Sequence, residues 1–279
     1  MRRRTFLGGS VVTGTALAWG TAGSANASAA PGPEAGVHER VVRDARMEWH
    51  GLPTGWQDAP FLGNGSLTAQ VHFGGRAGAL SFAFGAAGEP LETPSGRLDL
   101  VLAGTPTTAV WEVDPWTAEL TGTVTTTRGT VALSVLVPRG HDVLLARLHT
   151  TGGEEAAAFT TETGLPKGPW RERRSGTARL LVASPRAGDV AAVRDADYAE
   201  MVGRHLRWWQ EFYTRSLVSV PDKTAQRFYW IQLYKAAALT RAPHALLTGS
   251  NHLDPGRDAV SAPGSRGPAV AIPGTGSKG

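Results

Sequence analysis

Residues 195–241 gather all four of the chain's tyrosines and three of its nine tryptophans, so any stable fold must find partners for this run of rings. The run reads as two helices. In the first, Ala199, Val202, Leu206, Trp209 and Tyr213 recur at the 3-4-3-4 spacing of one helical face, and Met201, His205, Trp208 and Phe212 form a second stripe beside it. A face this wide needs partners on two sides. The segment Leu217-Val218-Ser219-Val220-Pro221 is expected to be extended, because a residue before proline is pushed out of the α region. Asp222 then stands where a second helix needs its cap. That helix, centred on Phe228 to Tyr234, is apolar nearly all round, the pattern of a helix buried in a larger helical body. Without such a body, Trp208, Trp209 and Trp230 become a surface for self-association, unless the helices fold back on the rest of the chain.

The N-terminus carries an address. Arg2-Arg3-Arg4-Thr5-Phe6-Leu7 precedes a weakly apolar segment ending near Ala18, and Ala25-Asn26-Ala27 has the A-x-A form that a signal peptidase cuts. Residues 1–27 thus resemble a twin-arginine leader, which predicts a secreted protein cleaved near Ala27; the apolar run falls short of the ~20 residues of a membrane span. Removing the leader takes three arginines and no acids, so the formal charge drops from +4 to +1. Little basicity then remains for nucleic acid or an anionic membrane. With no cysteine, neither a disulfide framework nor a thiolate metal site is open to the chain. Its eight histidines show no H-x-H or i, i+4 pairing, and no Walker loop or G-x-S-x-G elbow occurs, so neither a metal nor a cofactor is expected.

Residues 28–37 form an Ala/Pro/Gly-rich linker without periodicity, read as disordered, with order beginning near His38. From there to residue 193, short runs of β-formers alternate with Gly, Pro and Thr. Candidate strands lie at 66–73, 79–84, 97–102, 110–113, 119–127, 130–137, 143–150, 156–161 and 178–184. Val131, Leu133, Val135 and Val137 share one face, whereas the strand at 143–150 is apolar on both faces at one end. Thr127-Arg128-Gly129 reads as a hairpin turn with Gly129 free to take positive φ. Strands spaced about ten residues apart predict a mainly β protein, an antiparallel β-sandwich followed by two linker helices at 194–241. Residues 242–279 are a Pro/Gly/Ser/Ala tail expected to be disordered.

The string Trp56-Gln57-Asp58-Ala59-Pro60-Phe61-Leu62-Gly63-Asn64-Gly65-Ser66-Leu67-Thr68-Ala69 places a tight turn at Gly63-Asn64-Gly65 directly before a strand. It resembles the "P-L-G-N-G-x-L-G-A" opening of bacterial glycoside hydrolases of the α-L-fucosidase type. Leu62, Gly63, Asn64, Gly65, Leu67 and Ala69 match, while Pro60 stands one place early and Thr68 replaces a glycine. Residues 205–216 resemble the "H-x-x-W-W-x-x-F-W-x-R-S" linker helix of similar enzymes, and Tyr229 to Tyr234 the first helix of their barrel. The resemblance covers about residues 45–241 and implies a β-sandwich followed by an (α/α)6 barrel. A barrel of about twelve helices does not fit into the residues after Asp222. The "W-N-x-N-x-Q" string of the barrel is absent, which predicts a truncated form whose catalytic residues are lacking.

The carboxylates point the same way. Glu154-Glu155 beside Gly152-Gly153 reads as a turn, Asp195, Asp197 and Glu200 as helix-start acids, and Glu89 and Glu92 as flanks of a proline loop. None makes a recognisable glycosidase pair. Candidates for carbohydrate contact are Asn64 in the matched turn and Trp111 and Trp116 around Asp114-Pro115, the alternative for both rings being core packing. The loop 166–174, with Trp170 among basic residues, reads as solvated. Three readings stand: a truncated glycoside-hydrolase-like protein, a stand-alone carbohydrate-binding sandwich, and an active glycosidase with other catalytic residues.

Overall fold

A computed structural model describes residues 33–73, 78–89, 92–161, 169–194, 197–215 and 218–240. The leader and the tail from residue 241 lie outside them. A helix α1 (Pro33–Arg43) leads into strands β1 (Met47–His50), β2 (Phe61–Gly63), β3 (Leu67–His72), β4 (Ala79–Ala86), β5 (Gly96–Val101) and β6 (Pro106–Asp114). Strands β7 (Glu119–Thr126), β8 (Thr130–Leu136), β9 (Leu144–Thr151), β10 (Ala158–Thr160), β11 (Trp170–Ser175) and β12 (Ala178–Ala183) follow. Helices α2 (Ala187–Ala192), α3 (Tyr198–Thr214) and α4 (Lys223–Leu239) close the described chain.

The strands form two antiparallel sheets, a seven-stranded one ordered β1-β6-β7-β8-β9-β12-β11 and a five-stranded one ordered β10-β5-β4-β3-β2. This is the expected sandwich. Alternation supplies its core: Leu67, Ala69, Val71, Phe82, Phe84, Leu98 and Leu100 from the smaller sheet meet Trp111, Val113, Val131, Leu133, Val135, Leu144 and Leu148 from the larger. Every candidate strand of the sequence reading is present, with bounds shifted by a few residues. The four-residue β1 and three-residue β2 are too short to show a period, and charge hid β11, whose Arg171, Glu172, Arg173 and Arg174 sit on an edge strand paired with β12.

Both apolar stripes of α3 are used. Met201, with Tyr198 and Val202 beside it, covers Leu136, Val143, Leu145 and Val182 on the outer side of the larger sheet, together with Val190 and Val193 around α2. Trp209, Phe212 and Tyr213, near the other end, join the main core. The same division explains why β9 is apolar on both faces at its start: Leu144 looks inward and Leu145 outward. Asp222 caps α4 as expected, its carboxylate accepting from the backbone N–H of Thr224 (2.8 Å) and Ala225 (3.2 Å).

Three expectations are corrected. Residues 33–37, read as part of a disordered linker, are helical: α1 begins at Pro33 and buries Val42 in the core. Helix α4 is not enclosed: Trp230, Leu233, Tyr234, Ala237 and Ala238 are buried while Phe228 is 63 % and Leu239 43 % exposed, so it lies on the sandwich with one side facing water. Gly129 does not take positive φ; it is required because a Cβ there would overlap the Thr151 carbonyl of the adjoining turn.

His205 ties α3 to the β6–β7 turn. Its Nε2 donates to the Thr117 carbonyl at 2.8 Å, and the ring is fully buried. Burial lowers its pKa to about 4, the Thr117 bond opposing and the charge on Arg139 assisting. A histidine held neutral in the fold protonates first in the unfolded chain, so its contribution is complete above pH ~6.5 and is lost as pH falls toward ~4. Wild type should therefore lose about 3 kcal/mol relative to His205→Gln between pH 7 and pH 4. Denaturant titrations of both proteins across that range check it; parallel curves would contradict the assignment.

Candidate functional site

The matched turn is a docking point. Gly63-Asn64-Gly65 joins β2 to β3 and meets the C-terminal end of α4: the Gly65 N–H donates to the Ala238 carbonyl at 2.7 Å. A Cβ on Gly63 would lie 2.5 Å from that same oxygen, and Gly65 has φ +84°, so both glycines are required by backbone geometry. Arg139, from the turn after β8, donates to the carbonyls of Asn64 and, at 2.6 Å, Ala237. Its guanidinium lies over the ring of Trp208, 3.5 Å from the centroid. Burial lowers the Arg139 pKa to about 10, which leaves it cationic at neutral pH. A buried cation at the carbonyl end of α4 both fills orphan acceptors and complements the helix dipole.

Asn64 is fully engaged at this junction. Its Nδ2 donates to the carbonyls of Pro138 (3.0 Å) and His141 (2.8 Å), and its Oδ1 accepts from the N–H groups of Ser66 and Leu67, both at 2.8 Å. An amide offers two donors and two lone pairs, so none is left for a sugar hydroxyl. The other two candidates are equally internal. Trp111 is fully buried and donates Nε1 to the Gly51 carbonyl, and Trp116 is 5 % exposed with its ring stacked on Tyr213. The three candidates do not converge on an open surface.

Beside the turn lies a cleft of about 720 Å³, lined by Asn64, Ser66, Arg139, His141, Asp142, Asp189, Arg204 and Trp208. Arg186 bridges its two acids, Asp142 (2.5 Å) and Asp189 (2.8 Å), and Arg204 pairs with Glu200 (3.7 Å) and lies 3.2 Å from the His141 ring, whereas Arg139 is held by carbonyls. Sequence reasoning missed Arg139, because the string Pro-Arg-Gly signals only a turn.

Most of the carboxylates considered for catalysis are drawn into structure. Glu154 is fully buried and accepts from Ala103 N–H (2.9 Å), Gly104 N–H (2.7 Å) and the Thr126 hydroxyl (2.6 Å), thereby joining the β5–β6 connection to the end of β7. Glu155 accepts from Gly153 N–H, Glu89 from Ala86 N–H and the Ser95 hydroxyl, and Asp197 pairs with Arg194. Glu92 lines a small cavity of about 280 Å³ with His72 and Arg97. Asp195 lies outside the described residues. Among the described residues no group of three or more His, Asp or Glu side chains could hold a metal ion.

No protein-family model matches the chain, and no curated protein matches it. What places it in a class is its architecture: a two-sheet antiparallel β-sandwich with an aromatic helical pair docked against it.

Asn64→Asp replaces two donors by a charged acceptor facing two carbonyls. It should cost about 2–4 kcal/mol in chemical denaturation, with Gly63→Ala costing about 1–3 kcal/mol. Unchanged midpoints for both would remove the docking role.

Proposed function

We propose that this chain is the sandwich and entry-helix part of an exported glycoside-hydrolase-like protein and that it recognises carbohydrate without hydrolysing it. One observation supports this reading above others. The stretches that carry the resemblance, 61–69, 205–216 and 229–234, include segments far apart in sequence that meet at one junction, where the Tyr234 hydroxyl donates to the Phe61 carbonyl at 2.8 Å across a separation of 173 residues. Convergence of separate matched strings is what a shared architecture requires, and it supports the reading. The engagement of Glu154, Glu155, Glu89 and Asp197 in turns and ion pairs argues against their acting as acid or base. Purified mature chain should give no turnover of aryl α-L-fucoside, α-L-galactoside or β-L-arabinoside. Turnover abolished by changing a single carboxylate would restore the reading as an active glycosidase.

A stand-alone carbohydrate-binding module is the second reading, and one observation favours it over a truncated enzyme. Trp209 and Trp230 are fully buried within the chain itself and Trp208 is half-buried, so most of the aromatic surface proposed for self-association is already covered. A monodisperse monomer that binds no hydrophobic dye supports the module; concentration-dependent association that Phe228→Ala relieves supports exposure left by a missing neighbour.

Export by the twin-arginine route belongs to the same proposal. Arg3→Lys with Arg4→Lys should hold the precursor in the cytoplasm, as read by fractionation and by the size shift of leader removal. Continued export of that variant would discard the route.

A further inference from the structure

We propose that the groove between the Trp56 turn and α4 is a binding site for a neutral saccharide, a proposal that rests on the carbohydrate reading above. The groove encloses about 630 Å³ and is lined in part by Trp49, Trp56, Asp58, Phe61, Gln70 and Lys235. That volume falls within the range of small-molecule sites, and the balance of aromatic walls with a few polar groups is their usual make-up.

Gln70 is the observation that points to a ligand. On β3, Leu67, Ala69 and Val71 belong to the sandwich core, so the alternation sends Gln70 to the opposite face, yet it is only 6 % exposed. Its Nε2 donates to the Trp56 carbonyl at 2.9 Å. Reversing the amide would set two carbonyl oxygens against each other, so this hydrogen bond fixes its orientation. Oε1 is then a buried acceptor with no partner among the described residues. Buried acceptors are nearly always satisfied, and Gln70 also lines the groove, so a small shift of its side chain would offer this oxygen to an O–H or N–H of a ligand.

The walls narrow the chemistry. Trp56 is 36 % exposed, and Trp49 and Phe61 are half-buried, so the groove presents aromatic surface rather than closed core. Asp58 and Lys235 bring one charge of each sign, which favours a ligand without net charge. A sugar ring combines an apolar C–H face, suited to Trp56, with hydroxyls at its edge, suited to Gln70 Oε1. The Arg139 cleft lacks this combination, since Asn64 is saturated and the walls are mainly charged, with Arg139, Asp142, Asp189 and Arg204.

The test uses the mature chain in affinity electrophoresis against xyloglucan, galactomannan, arabinogalactan and, as an acidic comparison, polygalacturonate. Any polysaccharide that retards the chain is then titrated by tryptophan fluorescence. We expect retardation by at least one neutral polysaccharide and none by polygalacturonate. Trp56→Ala, which keeps the carbonyl that anchors Gln70, should weaken binding about tenfold or more, and Gln70→Leu should weaken it as well. Phe228→Ala, an exposed ring outside the groove, should leave binding unchanged. Thermal melts of all three variants separate loss of binding from loss of fold. Binding that both Trp56→Ala and Gln70→Leu leave intact overturns the groove and leaves the carbohydrate reading standing. Failure of every neutral polysaccharide to bind overturns both, and preference for polygalacturonate overturns the neutral ligand.

Discussion

The contact on which the arrangement depends is a backbone contact: the end of α4 resting on the Gly63-Asn64-Gly65 turn. Only the absence of a Cβ at Gly63 lets the Ala238 carbonyl approach, and only the positive φ of Gly65 turns its N–H toward that oxygen. Asn64 holds the turn against residues 138–141, and Arg139 returns from there to the Ala237 carbonyl. Turn, loop and helix end are thereby locked by mutual saturation of polar groups. Displacing any one of them would strand buried donors or acceptors in the other two, at about 1–3 kcal/mol each.

With the helix end held, the rings can pack. Trp209 stacks on Tyr213 and tilts against Tyr234, Tyr213 stacks on Trp116 and meets Trp230 edge-on, and Trp208 lies parallel to Phe212. Each fully buried ring contributes roughly 1.5–3 kcal/mol, so this cluster is a large part of what joins the helices to the sandwich. Burial also raises the pKa of the Tyr213 and Tyr234 hydroxyls, which keeps both neutral over any ordinary pH range. The cluster is a joint, and its aromatic content serves packing before recognition.

The proposed saccharide site lies where the outer face of the five-stranded sheet meets the chain between β1 and β2. Thr68, Gln70, His72, Ser81 and Asp99 are buried polar residues on that sheet, and Ser81 donates to Asp99 at 2.6 Å across β4 and β5. A sandwich needs only one apolar face per sheet; a second face that is both polar and covered must satisfy its groups internally or through a ligand. Most are satisfied internally. Asp99 Oδ2 and Gln70 Oε1 are not, and Gln70 lines the aromatic groove next to the helix that the Gly63 turn holds in place.

Strand positions, the hairpin at 127–129, the Asp222 cap and the need of α3 for partners on two sides were all legible in the sequence, because alternation, turn chemistry and helical period are local properties. Strands β1 and β2 were not, since three or four residues carry no period. The charged edge strand β11 was hidden because its stability comes from pairing with β12 rather than from burial. Composition likewise marked Trp111, Trp116 and Asn64 as chemically able to meet a sugar. Whether they do is a matter of exposure and spare hydrogen-bonding capacity, and those depend on which distant segments fold over them. The sequence by itself determined that this chain would be a sandwich with an aromatic helical extension. Only the tertiary structure decided that Asn64 is consumed in holding α4 while Gln70 keeps an acceptor open, because satisfaction of a polar group is a property of its neighbours in space.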